Sequence, residues 1–101
     1  GEDGHTASLF SGNELGTSAG SPSVLPVYAP SSQAVPERVS LSITRLNQTR
    51  QALFLVTGED KRAALAAWWG GAELPAAHIT TPQTLVWCDA AAAGNLVDVI
   101  E

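Results

Sequence analysis

Residues 52–71 read Ala-Leu-Phe-Leu-Val-Thr-Gly-Glu-Asp-Lys-Arg-Ala-Ala-Leu-Ala-Ala-Trp-Trp-Gly-Gly, and this stretch decides the fold class. Its first half, Ala52 to Thr57, is an apolar run of strand length, the pattern of a strand covered on both faces. Gly58 makes a turn. Glu59 to Trp69 then has helical composition, with Glu59 and Asp60 in the first turn, where acidic groups complement the helix dipole. Gly70-Gly71 ends the helix. Leu65, Trp68 and Trp69 mark its buried stripe. A second strand follows at Thr84–Cys88, with Asp89 as the N-cap of a brief helix over Ala90–Ala93 that stops at Gly94. Strand, helix and strand joined by short turns imply a layered α/β domain.

Working outward, Val39-Ser40-Leu41-Ser42-Ile43 alternates apolar and polar, the period of a half-buried strand. Val24–Ala29 contains Pro26 and suits an edge strand or an extended connector, because proline removes a ladder donor. Residues 11–23 and 30–36 are rich in Gly, Ser, Asn, Thr and Pro and read as loops. A short helical turn is expected over Leu46–Gln51, an irregular or short helical connection over 74–79, and a last short strand over Asn95–Glu101.

Composition bounds the function. The chain has 101 residues, 45% apolar and 15% charged, which is globular and not disordered. A net charge of −5, from 10 acidic and 5 basic side chains, argues against a nucleic-acid partner. A small phosphorylated substrate stays open, since a few local cations suffice for it. Cys88 is the single cysteine of the sequence, so no internal disulfide can form, and its apolar neighbours predict a small buried hydrophobe. No apolar run is long enough to span a bilayer and no signal-peptide pattern is visible, so the default expectation is a cytoplasmic protein with no membrane partner. No metal-ligand cluster and no cofactor motif is visible either.

Three motifs are candidates for chemistry. In Asp3-Gly4-His5, a carboxylate two residues from a histidine can fix the imidazole tautomer, but only in a non-helical turn of the kind Gly4 permits. The alternative is a surface histidine beside a turn-forming aspartate. In Val56-Thr57-Gly58-Glu59-Asp60-Lys61, a strand end meets a helix start, where free N–H groups suit a phosphate. Lys61 stands four residues before Leu65 and seven before Trp68, on the helix face that packs inward. Its alternative is a lysine whose stem covers apolar surface. In Pro36-Glu37-Arg38-Val39-Ser40-Leu41, Arg38 at a strand start can fork onto a phosphate or hold a site carboxylate, or equally form a surface ion pair of little energetic consequence. His78, with no carboxylate or cysteine at ligand spacing, is expected to cap or pack. Trp68, Trp69 and Trp87 are core candidates. Ser8 lacks the Gly-x-Ser-x-Gly elbow of a serine nucleophile.

The run Gly1-Glu2-Asp3-Gly4-His5-Thr6-Ala7-Ser8-Leu9-Phe10 resembles the active-site motif of the 6-phosphogluconolactonases, which are related to the glucosamine-6-phosphate deaminases. The blocks 36–43 and 52–61 resemble the same family. Ser11 stands where the family often has proline, and residues 11–35 have no clear match. The resemblance implies the C-terminal part of a Rossmann-like α/β/α sandwich, with residues 1–101 as the C-terminal portion of one lactonase domain. In the family the motif falls well inside the domain, so an N-terminal part of the same protein is the expected partner, and this piece alone is expected to be inactive. The implied activity is hydrolysis of 6-phospho-D-glucono-1,5-lactone to 6-phosphogluconate, in the pentose phosphate pathway. His5 is the implied general base, Asp3 its orienting group, and Gly4, Lys61 and Arg38 the implied substrate-binding residues. That chemistry needs no metal and no cofactor. A deaminase is the nearest alternative, but that branch carries a glutamate five residues after the histidine, where this chain has Phe10. A non-catalytic sugar-phosphate-binding protein is the other alternative, and the intact Asp3–His5 pair speaks against it.

Overall fold

The computed structural model describes residues 1–30 and 33–98. Among the described residues two small sheets form. Strands β1 (Val24–Tyr28) and β2 (Glu37–Leu41) pair antiparallel, with Pro26 opposite Val39. Strands β3 (Gln51–Val56) and β4 (Gln83–Cys88) pair parallel, with Leu53 opposite Leu85 and Val56 opposite Cys88. Between the parallel strands runs a 3₁₀ turn at Glu59–Lys61, helix α2 (Arg62–Trp69) and a second 3₁₀ turn at Pro75–His78. The expected strand–helix–strand unit is therefore present. Helix α1 (Ile43–Leu46) lies just before β3, and α3 (Ala90–Ala93) follows β4.

The core is built by the N-terminal motif and the first sheet. Leu9, Phe10, Leu25, Val27, Ala29, Ile43 and Ile79 are buried together, with Ala52 and Phe54 of β3 packed against them. Proline at position 26 fits β1 because that residue points outward, between buried Leu25 and Val27.

The alternating strand runs opposite to its hydrophobicity. Val39 is 73% exposed and Leu41 is also on the open side, whereas Ser40 and Ser42 are buried. Each serine is needed inward by the backbone. Ser40 Oγ accepts the Ser8 N–H at 3.2 Å, and Ser42 Oγ accepts the Arg45 N–H at 3.1 Å as the N-cap of α1. Only Ile43 of the apolar set is buried, and it has already passed into α1.

Four further expectations are corrected. Strand β3 is covered on one face only, since Leu53 and Leu55 are exposed while Ala52, Phe54 and Val56 are half-buried. Trp69 and Trp87 are exposed and Cys88 is exposed, so of the three tryptophans only half-buried Trp68 packs inward, edge-on to Phe54 at 4.8 Å. The helical turn expected over 46–51 is α1, a few residues earlier. The expected strand from Asn95 is a 3₁₀ helix over Gly94–Asp98, and residues 99–101 lie outside the described residues. The exposed apolar residues share faces. Leu53, Leu55, Leu85 and Trp87 line the open side of β3–β4, and Val24, Val39 and Leu41 that of β1–β2. Among the described residues no helix is long and apolar enough to cross a membrane.

Candidate active site

The Asp-Gly-His turn is closed by its own backbone. Gly4 N–H donates to Gly1 O at 3.0 Å and Gly1 N donates to His5 O at 2.7 Å. Gly4 holds φ +87°, a conformation that L side chains rarely adopt, and it is buried under Leu74. Its carbonyl accepts the Ala76 N–H at 3.1 Å, which ties the turn to the 3₁₀ segment after α2. Leu9 and Phe10, both buried, anchor the other end of the motif in the core.

This turn presents the pair that the sequence singles out. Asp3 Oδ1 lies 2.6 Å from His5 Nδ1 and also accepts the His5 backbone N–H at 3.0 Å. Partial burial raises the Asp3 pKa, but the hydrogen bonds from the His5 backbone and ring outweigh it and hold the carboxyl below its ordinary value. Asp3 is thus an anion at neutral pH, and an anion can only accept. Nδ1 therefore carries the proton of the neutral ring, and Nε2 keeps the lone pair.

His5 lines a cleft of about 260 Å³ with Gly4, Thr6, Val56, Lys61 and Trp68. Lys61 ends the 3₁₀ turn before α2, is half-buried, and shares the cleft wall with Leu65 and Trp68, as the four- and seven-residue spacing requires. Its Nζ lies 3.3 Å from Asp60 Oδ2, an ion pair at the protein surface of the kind that contributes little to stability. An adjoining recess is also bordered by Asp3, His5, Gln33 and Lys61, so the imidazole and the ammonium stand on a common rim.

Two expected ligand-binding groups are arranged differently. At the β3–α2 turn, the Gly58 N–H is directed to the Asp89 carboxylate at 3.2 and 3.3 Å, so it is not left for a phosphate. Asp89 also caps α3 through the Ala92 N–H at 2.8 Å, as its position predicts, and so joins the ends of β3 and β4. Gly4 lines the cleft but uses both its N–H and its carbonyl within the protein, so neither is left for a ligand.

Arg38 holds no carboxylate among the described residues. Its Nε donates to Val35 O at 2.7 Å, one Nη donates to Gln33 Oε1 at 3.4 Å, and its guanidinium carbon lies 5.5 Å from the centroid of the Phe10 ring. Phe10 in turn lies 4.5 Å from the His5 ring, centroid to centroid. Sequence reading misses this role of Phe10, although an apolar Leu-Phe pair closing a polar turn signals a core anchor. His78 is half-buried at the end of its 3₁₀ turn and borders a recess beside Trp68, apart from the cleft.

A family model described as glucosamine-6-phosphate isomerases/6-phosphogluconolactonase matches residues 1–87. The chain belongs to this family. Rat 6-phosphogluconolactonase is similar to it, 38% identical over 103 residues, a match that takes in 98% of this chain and 39% of the rat protein. Among solved structures, 6-phosphogluconolactonase from Trypanosoma brucei superposes with a TM-score of 0.83 at 26% identity, covering 95% of this chain and 39% of that one. The enzyme from Thermotoga maritima superposes with a TM-score of 0.71 at 32% identity, covering 87% and 38%. The chain therefore spans well under half the length of these relatives, and it has the fold of the corresponding part of the family domain.

Proposed function

We propose that the protein to which this chain contributes hydrolyses 6-phospho-D-glucono-1,5-lactone to 6-phosphogluconate. The observation that carries the reading is the Asp3–His5 contact of 2.6 Å at the mouth of a cleft shared with Lys61. Similarity to rat and trypanosomal 6-phosphogluconolactonases supports it.

In this reading His5 Nε2 takes a proton from a water molecule as the water oxygen bonds to the lactone carbonyl carbon. Asp3 holds the ring tautomer and stabilises the imidazolium that forms. The tetrahedral intermediate then collapses, the bond from carbonyl carbon to ring oxygen breaks, and the imidazolium returns its proton to that oxygen. Lys61 holds the phosphate, and Gly4 holds the turn that sets the Asp3–His5 pair against the cleft where the sugar ring lies. Binding energy from the remote phosphate orients the carbonyl for attack. Phe10 bears on the deaminase alternative. Its apolar ring fills the position of the glutamate that would complete a relay, and it packs on the imidazole face.

The test is acid release from fresh lactone by the full-length protein, measured above spontaneous hydrolysis. Clear acceleration supports the reading, and none from the folded protein sinks it. The same assay on residues 1–101 alone should show no acceleration, because an N-terminal part of the domain is proposed to complete the sheet and the site. The open apolar faces of both sheets fit that proposal. Measurable turnover by the isolated piece would refute it.

Lys61→Ala should lower kcat/KM about 10- to 100-fold, the equivalent of one hydrogen bond to a charged group, with much of the loss in KM. Unchanged KM and kcat would remove Lys61 from the site.

A further inference from the structure

We propose that Phe10 and Arg38 are positioning residues for His5, and that Arg38 acts through the Phe10 ring and not on the substrate. The inference rests on the reading of His5 as the base.

The Asp3 contact holds only one edge of the imidazole. A single hydrogen bond at Nδ1 leaves the ring free to pivot about that bond, and Asp3 is itself half exposed, so the aim of Nε2 is not fixed by this pair alone. A face contact supplies what is lacking. Phe10 is 1% exposed, and its ring meets the imidazole at 4.5 Å with a tilt of 36°. A ring packed in the core is a rigid surface for a half-buried neighbour to rest on.

Arg38 completes the arrangement. Its guanidinium stands 5.5 Å from the centre of the same ring, within the range of a cation–π contact. It is tethered by Val35 O at 2.7 Å and Gln33 Oε1 at 3.4 Å, which fixes the plane it offers. A guanidinium engaged in this way has its Nε and one Nη committed inside the protein. The resulting order is a tethered cation, a buried ring and the base.

The experiment uses the full-length protein and compares Arg38→Met, Arg38→Lys and Phe10→Leu by kinetics and by the NMR shift of the His5 Cε1 proton. Phe10→Leu keeps the apolar character of the side chain but removes the ring current. The expected kinetic result is a fall in kcat of about 3- to 30-fold for Arg38→Met, with KM within about twofold, from a base that is misaimed and not absent. Arg38→Lys, which keeps a cation, should lose less. Phe10→Leu should lower kcat without raising KM, and should move the His5 proton signal. A rise in KM with kcat unchanged for Arg38→Met would mean direct phosphate binding and overturn the proposal, as would equal losses for Met and Lys. If Phe10→Leu does not fold, the Arg38 pair still decides. Wild-type protein with no lactonase activity would sink the functional reading instead. In that case a His5 signal unmoved by Phe10→Leu and by Arg38→Met would separately refute the stack.

Discussion

His5→Ala in the full-length protein should lower kcat about 10²- to 10⁴-fold, the usual contribution of a correctly placed general base. KM should change little, because the phosphate contact assigned to Lys61 does not involve the imidazole. The fold should survive. His5 is only half-buried, and its removal forfeits the one hydrogen bond between Asp3 and the ring and the contact with Phe10. An aromatic contact of this kind contributes about 0.5–1.5 kcal/mol, and the backbone N–H of residue 5 can still donate to Asp3. The measurement is single-substrate kinetics corrected for spontaneous hydrolysis, with thermal melting of both proteins. Normal kcat with normal melting would remove His5 from the chemistry. A collapsed melting transition would show that its role is structural.

Gly4→Ala should be strongly destabilising. At φ +87° an L residue is strained by about 1–2 kcal/mol. A Cβ at this position would also stand 2.7 Å from Leu74 Cδ1 and 2.9 Å from Leu74 Cβ, closer than real contacts allow. Leu74 precedes the Pro75–His78 turn, whose Ala76 N–H bonds to the Gly4 carbonyl, so it cannot retreat without breaking that link. Overpacking of this kind adds about 1–3 kcal/mol, for a total of about 2–5 kcal/mol. Activity should fall as well, because the same turn sets Asp3 against His5. Chemical denaturation of the full-length variant checks the first effect and lactone turnover the second. Wild-type stability would mean that the turn relaxes at no cost, and that the glycine is not required by its conformation.

Much of the architecture is legible in residues 52–94. A strand-length apolar run, a glycine turn, acidic residues at a helix start and a capping aspartate each act within a few residues of themselves, and all four appear where the sequence places them. The Asp3–His5 pair is legible for the same reason, since two side chains two residues apart need only a turn that glycine permits. Burial is less legible. The alternation of residues 39–43 predicts serines outside and aliphatics inside, and the reverse holds for Val39 to Ser42 because Ser8 and Arg45 N–H groups, distant or later in the chain, need the serine oxygens. Trp69, Trp87 and Cys88 are apolar enough to belong in a core, and which of them is covered depends on which faces of the sheets meet another layer.

The amino-acid sequence by itself thus determined the strand–helix–strand unit, the non-helical turn that pairs Asp3 with His5, and the face on which Lys61 lies. These follow from hydrophobic period, backbone freedom at glycine and residue spacing. Only the tertiary structure decided what surrounds them. It brings Arg38 over Phe10 across 28 positions of sequence, directs the Gly58 N–H to Asp89 across 31, and seats Leu74 over Gly4 across 70. Those contacts arise from the packing of separate elements around Leu9 and Phe10, and no local pattern encodes which side chains such packing will set against each other.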